Sequence, residues 1–330
     1  MNEYLKYWNV TEPVFLKLID VHAVFCPTWF EALFGRLKLL ATYPYTVTVI
    51  TAPSGYGKST LVKLLYQSKF SWPIEECEVL LLTPSGSISG SGNFWLMEKL
   101  ATFLGTRSRP TKSSTLAGDS RFSRDLVRCF DEIADEKRKF ILIIDAAENL
   151  VSPENYAELV TLFNLHMLSR VHISVALFGR PTMLDTFNQV SELSARLACK
   201  VEMPSLDESD TARFVDHMLE RSSLHRDTFD HEAKVAIFAA SHGIFTKVNA
   251  IAENCLIEAY FKKSRSINAD LVKTISHSVM STGDLTLKDL KADVRESRNR
   301  KEAKEKKSVP AQEVSAPKPV IGLNSLFKND

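Results

Sequence analysis

Eight consecutive residues, Ala52-Pro53-Ser54-Gly55-Tyr56-Gly57-Lys58-Ser59, carry the most specific chemistry in the chain. They follow a run of β-branched residues and open a helical pattern. In that setting successive backbone N–H groups point inward and bind phosphate oxygens, aided by the positive end of the helix dipole. Gly55 and Gly57 let the backbone approach a phosphate closely. Lys58 offers a point charge to the β and γ phosphates, and Ser59 a hydroxyl to Mg²⁺. Ser54, Tyr56 and Thr60 complete the loop. The full pattern has Gly where Ala52 stands, a difference of one methyl group, and Pro53 removes one N–H. The ligands these residues predict are a nucleoside triphosphate, ATP, with Mg²⁺.

A phosphate loop needs an acidic residue at the end of a second buried strand. Phe140-Ile-Leu-Ile-Ile-Asp145 supplies one, and Asp145 is expected to orient Mg²⁺ together with Ser59. A helix cap is the alternative role for a strand-terminal Asp.

These residues must be positioned by a sheet. Five short apolar runs, Tyr45 to Ile50, Glu78 to Leu82, Phe140 to Ile144, His172 to Phe178 and Cys199 to Met203, show little polar alternation and predict strands buried on both faces. Helical patterns lie between them at Ser59 to Tyr66, Phe94 to Leu104, Asp119 to Glu136 and Pro153 to Leu168. Alternation of this kind predicts an α/β fold, a P-loop αβα domain with a largely parallel five-stranded sheet. Beyond Pro204 only helical patterns remain, at Asp207 to Arg221, His231 to Ser241, Val248 to Lys262 and Ala269 to Met280. They predict a small all-helical domain, labelled the lid below. The expected organisation is 1–40 as an N-terminal segment packing on the ATPase core, 41–205 as the nucleotide domain, 206–282 as the lid and 283–330 as a disordered, charged tail. Within that tail, Lys288 to Lys307 holds nine Lys/Arg and five Asp/Glu, and Val320 to Phe327 forms a small apolar cluster.

Bulk composition narrows the functional classes. With 41 basic and 40 acidic side chains, the 330-residue chain carries a net charge of +1, so no global field draws it to nucleic acid or membrane. Its five cysteines show no metal or disulfide spacing and read as reduced thiols of a cytoplasmic protein. No apolar run approaches the length of a membrane span. Work at the inner membrane would need recruitment by a partner, for which the Val320 to Phe327 cluster is one docking peptide.

Several segments together resemble one family, over about residues 1 to 265. They are Tyr4-Leu-Lys-Tyr-Trp8 with Pro13 and Phe15, Phe30-Glu-Ala-Leu33 with Arg36-Leu37, Asp145-Ala-Ala-Glu-Asn-Leu150, Phe178-Gly-Arg-Pro181, Arg196 to Leu206 and Gly243-Ile-Phe-Thr-Lys-Val-Asn249. In order and spacing they are similar to the AAA+ ATPases of the general secretion pathway protein A (ExeA-like) type, related to the TniB/TnsC-type transposition ATPases. The resemblance implies a lid, a homo-oligomer, and ATP-driven work on a protein partner in a secretion, pilus or other envelope complex.

Two departures from that family bear on catalysis. Its catalytic Glu directly follows the Mg²⁺ Asp, where this chain has Ala146. Glu148 is either a surrogate base or a solvated loop carboxylate. The lid Arg that senses the γ-phosphate maps to Thr246, with Lys247 beside it as a substitute cation. Arg196 is either a finger reaching a neighbour's γ-phosphate or a partner of Glu192 or Glu202. Arg180, after the fourth strand, is a weaker sensor candidate. His166 and His172 read as packing or surface residues. Three functions follow: an ATP-dependent assembly factor of an envelope system, a DNA-associated transposition-type ATPase, and an ATP-bound switch that does not hydrolyse.

Overall fold

A computed structural model of the chain describes residues 2–16, 23–38, 42–67, 77–84, 95–105, 121–164 and 168–282. The expected disordered tail, its Lys288 to Lys307 charge run, the Val320 to Phe327 cluster and His166 lie outside them. Met1–Ser278 form one compact unit. Val279–Asp330 form a second, of which only the end of the last helix is described.

The elements in chain order are α1 (Asn2–Trp8), α2 (Phe30–Leu37), β1 (Thr46–Thr51), α3 (Lys58–Gln67), β2 (Cys77–Leu82), α4 (Trp95–Phe103), α5 (Arg121–Asp135), β3 (Lys139–Ile144), α6 (Pro153–Asn164), β4 (Ile173–Gly179), α7 (Met183–Phe187), α8 (Ser191–Ser194), β5 (Leu197–Glu202), α9 (Glu208–Arg221), α10 (His231–Ser241), α11 (Phe245–Phe261) and α12 (Ala269–Thr282). All five expected strands form, within two residues of their predicted bounds. They make one sheet in the order β2-β3-β4-β1-β5, every pairing parallel. β1 is an unbroken β-branched run, Thr-Val-Thr-Val-Ile-Thr, and all but its first residue are buried. Such side chains suit a strand covered on both faces.

Helices cover both faces. Leu96, Leu126, Phe130, Tyr156 and Phe163 pack with Val49, Leu142 and Val175 on one side. Phe34, Leu37, Leu61 and Leu65 pack with Ile50, Ile143 and Phe178 on the other. The resulting αβα sandwich is a P-loop AAA+ fold. Because β4 is inserted between β1 and β3, the loop after β1 and the acid after β3 stand two strand spacings apart, about 10 Å. That gap is where a phosphate chain fits.

The lid is a separate core of α9, α10, α11 and α12. The Asp207 side chain caps α9 by accepting from Asp210 N at 2.6 Å, and Asp230 caps α10 by accepting from Ala233 N at 2.6 Å.

The sequence suggested that residues 1–40 pack on the nucleotide domain; the described part of this segment does so only in part. Residues 2–15 belong to the lid. Tyr4, Trp8, Val14 and Phe15 are buried in its core. The buried Glu253 carboxylate on α11 accepts from Tyr4 Oη and from Phe15 N, both at 2.7 Å, and Trp8 Nε1 donates to Leu256 O at 3.1 Å. An aromatic-rich segment with no long amphipathic period carries no local sign of its docking face. Phe30 to Leu37 joins the core of the sheet domain, with Val24, Cys26 and Trp29 packed against it.

Candidate functional site

β1 delivers Ala52, fully buried, to the base of the phosphate loop. Gly55 and Gly57 both take φ of +89°, a conformation that a side chain would strain. A Cβ on Gly55 would also lie 2.2 Å from Thr246 Oγ1 at the start of α11, and Thr246 N donates to Gly55 O at 3.3 Å. The lid therefore rests directly on the loop. Lys58 opens α3 and donates from Nζ to Ala52 O at 2.6 Å and to Pro53 O at 2.9 Å. Burial lowers the Lys58 pKa, against the opposing pull of Glu148 and Asp145.

Asp145 follows β3 and is 8% exposed. Its Oδ1 accepts from Ala146 N at 3.0 Å. Ala146 then adopts φ 57°, ψ 45°, a left-handed conformation, and a 3₁₀ turn runs over Ala147–Asn149. That reversal returns Glu148 to the site. Its Oε2 accepts from Arg180 N at 3.0 Å and its Oε1 from Arg180 Nε at 2.9 Å. Burial pushes the Glu148 carboxyl up, but its own backbone N–H, Arg180 N–H and the guanidinium outweigh this and hold it below its ordinary range. The loop geometry settles part of one open question: Glu148 is no solvated loop carboxylate, since its side chain is only 13% exposed.

These residues face a cavity of about 450 Å³, in the size range of small-molecule sites. Ser54, Gly55, Tyr56, Gly57, Lys58, Ser59 and Thr60 line it from the loop and α3, and Asp145, Ala146 and Glu148 from the end of β3. Ala52 lies beneath the loop. Ser59 and Asp145 thus border one space and form a chemically suitable pair for Mg²⁺. The glycine-rich loop at the start of α3, Lys58 and the space are of the kind that takes a triphosphate.

Two expected residues stand elsewhere. Lys247 does not line the cavity; from the start of α11 it is Phe245, Thr246 and Asn249 that do. Arg196 precedes β5, at the sheet edge remote from the phosphate loop. It stacks 5.2 Å over Phe163, and its Nη2 donates to Asn164 Oδ1 at 3.4 Å. His172 lies at that same remote edge, just ahead of β4, with Nε2 3.3 Å from Ser174 Oγ.

Sequence reasoning missed the far wall. Val24, Phe25, Pro27 and Trp29 form a strap ahead of α2, opposite Phe214, His217 and Met218 of α9. The strap is held to α9 by Asp210 Oδ2, which accepts from Thr28 N and Oγ1, both at 2.9 Å, and His217 Nε2 stands 3.0 Å from Ala23 O. Phe25 packs edge-on against Phe214 at 5.5 Å. The sequence signal available was thin: His217 and Phe214 share a helical face at i, i+3. This wall is largely apolar and aromatic, with His217 and Arg221 of α9 as its polar members.

The architecture, with the glycine-rich loop after β1 and the acid after β3, is a P-loop AAA+ fold. Residues 42–187 match the family model described as an AAA domain. No curated protein sequence matches the chain. Among solved structures, the ORC2 protein of Aeropyrum pernix in its ADP form is similar with a TM-score of 0.55 and 15% identity, over 80% of this chain and 71% of that one. Cdc6p from Pyrobaculum aerophilum is similar with a TM-score of 0.55 and 16% identity, over 78% and 68%. The Aeropyrum pernix ORC1 protein, solved in complex with DNA, has a TM-score of 0.52 and 14% identity, over 81% and 68%. At these identities the likeness is one of fold.

Proposed function

We propose that the chain binds ATP with Mg²⁺ between its phosphate loop and lid and acts as a nucleotide-dependent switch with slow hydrolysis. One observation carries this reading: the carboxylate able to serve as a base is clamped. Glu148 and Asp145 are the only carboxylates lining the cavity among the described residues. Asp145 is committed to the metal side with Ser59. Ala146, where the ExeA-like pattern has Glu, has no proton-accepting group. Glu148 is left, and its two hydrogen bonds from Arg180 make it a weak base, because a lowered pKa reduces the driving force for taking a proton. The bound nucleotide would supply the phosphoryl electrophile. The protein's part is to cradle the phosphates on the loop amides, to set Lys58 against their charge and to exclude water with the lid. A single-turnover assay tests this: Glu148→Gln should abolish the residual hydrolysis and leave ATP affinity within about threefold. Undiminished hydrolysis in that variant would contradict it.

For the client, the likeness to origin-recognition and Cdc6 proteins supports a DNA-associated role more than an envelope one, which rests on sequence resemblance alone. A homo-oligomer is part of this reading, as the ExeA-like resemblance implies. ATP-dependent retention of duplex DNA, falling steeply with salt, is the expected result. Retention on membrane-complex proteins without DNA affinity would favour the envelope role.

A further inference from the structure

The far end of the lid carries an aromatic and basic surface that the nucleotide site does not use. α11 begins at Phe245, on the cavity wall, and ends at Phe261, about 24 Å further along the helix axis. There α1 lies against it, and Tyr7 and Tyr260 meet edge-on at 5.5 Å. The chain leaves the helix through the turn Phe261-Lys262-Lys263-Ser264-Arg265.

Two cations of this turn are set on the rings. Arg265 Cζ lies 4.0 Å over Tyr7 and 5.5 Å over Trp8, and Lys263 Nζ lies 4.3 Å over Tyr260 and 5.7 Å over Tyr7. Both residues are exposed, as is Lys262, and Phe261 is 68% exposed. The neighbouring carboxylates are engaged elsewhere: Glu258 pairs with Lys262 at 3.4 Å, and Glu3 accepts from Tyr260 Oη at 3.1 Å. Lys263 and Arg265 have no carboxylate partner among the described residues. A cation stacked on a ring keeps N–H groups for an external anion and gives up little freedom on binding one.

Two fixed cations beside an open ring match a polymer in which phosphates alternate with flat bases. An anionic bilayer would meet the same charges, but one exposed ring buries little apolar area there, whereas it suffices to stack one base. We propose that this turn binds single-stranded nucleic acid, Lys263 and Arg265 holding backbone phosphates and Phe261 stacking on an unpaired base. The inference rests on the DNA-associated reading above and is independent of the phosphate loop.

Fluorescence anisotropy of the full chain with labelled oligothymidylate and with a labelled duplex, at stepped salt, tests it. The double variant Lys263→Gly with Arg265→Gln should weaken the single strand and make its log–log salt slope shallower by about 1.4, the share of two phosphates. Phe261→Ser should weaken the single strand about tenfold, leaving that slope and the duplex affinity unchanged. All three side chains are exposed, and glycine suits the Lys263 φ of 54°, so the variants should melt with wild type. Should the double variant melt early through loss of the Arg265 stacking, Lys263→Gly alone is expected to reduce the slope by about 0.7. Wild-type binding to oligonucleotide that no variant changes overturns this surface and leaves the DNA-associated reading standing. Absence of wild-type binding to single strand and duplex alike overturns both. Binding to phosphatidylglycerol vesicles but not to oligonucleotide, lost in the same variants, overturns the nucleic-acid assignment in favour of a membrane.

Discussion

Glu148 and Arg180 form a two-point clamp at the mouth of the phosphate site, through the Arg180 main-chain N–H at 3.0 Å and its Nε at 2.9 Å. Arg180 is half exposed and Glu148 largely covered, so the pair fixes the carboxylate's direction and proton affinity more than it stabilises the fold. Arg180→Ala should raise the Glu148 pKa toward its ordinary value and free the side chain. Steady-state ATP turnover is expected to rise about tenfold, within the range of a general base, and the double variant Arg180→Ala with Glu148→Gln should lose that gain. A fall in turnover in the single variant would assign Arg180 to phosphate sensing instead.

The turn that delivers Glu148 is strained at Ala146, whose φ of 57° is left-handed. A non-glycine residue there costs about 1 kcal/mol. Ala146→Gly is expected to raise unfolding stability by up to about 0.5 kcal/mol, the relief being partly offset by added freedom in the unfolded chain. Denaturant titration measures it, and a loss of stability would contradict the geometry.

How much of this was legible in the sequence depends on how local each signal is. The phosphate loop, Asp145 and the five strands are written in contiguous residues: a β-branched run, then a glycine-rich loop, then Lys58 and Ser59. Glu148 was not placed, because its arrival at the cavity depends on one left-handed residue that propensity does not foresee. The strap and the lid wall were missed for a different reason. Thr28 meets Asp210 across 182 positions and Tyr4 meets Glu253 across 249, and neither end has a pattern naming the other. Lys247 was selected by its charge, whereas helical phase turns Thr246 and Asn249 to the site.

The N-terminal segment hangs on Glu253, which holds Tyr4 and the Phe15 N–H within the lid core. Glu253→Ala leaves both donors buried without that acceptor and should cost about 2–4 kcal/mol of stability. Limited proteolysis should then release residues preceding the strap faster than in wild type. Tyr4→Phe, which removes one donor, should cost about 1 kcal/mol.

Glu158 on α6 accepts from Leu96 N at 3.0 Å and Met97 N at 3.3 Å, in the first turn of α4. Burial pushes its carboxyl up to about 7, with those N–H groups opposing. The folded pKa lies above the unfolded one, so the folded state binds more protons between about pH 4.5 and 7, and stability is lost as pH rises through that window. The loss is on the order of 3 kcal/mol. Glu158→Gln keeps an acceptor without the charge, so its melting temperature should exceed wild type's increasingly from pH 5 to 8. A constant difference across that range would refute the assignment.

The central claim is that the amides ahead of Lys58 hold a triphosphate. Equilibrium titration of ATP·Mg²⁺ into wild type and Lys58→Ala is the direct measurement. The account predicts micromolar-range binding to wild type, weakened at least about thirtyfold in the variant by loss of a charge-assisted contact. Equal affinities in the two proteins, or none in either while both remain folded, would contradict it.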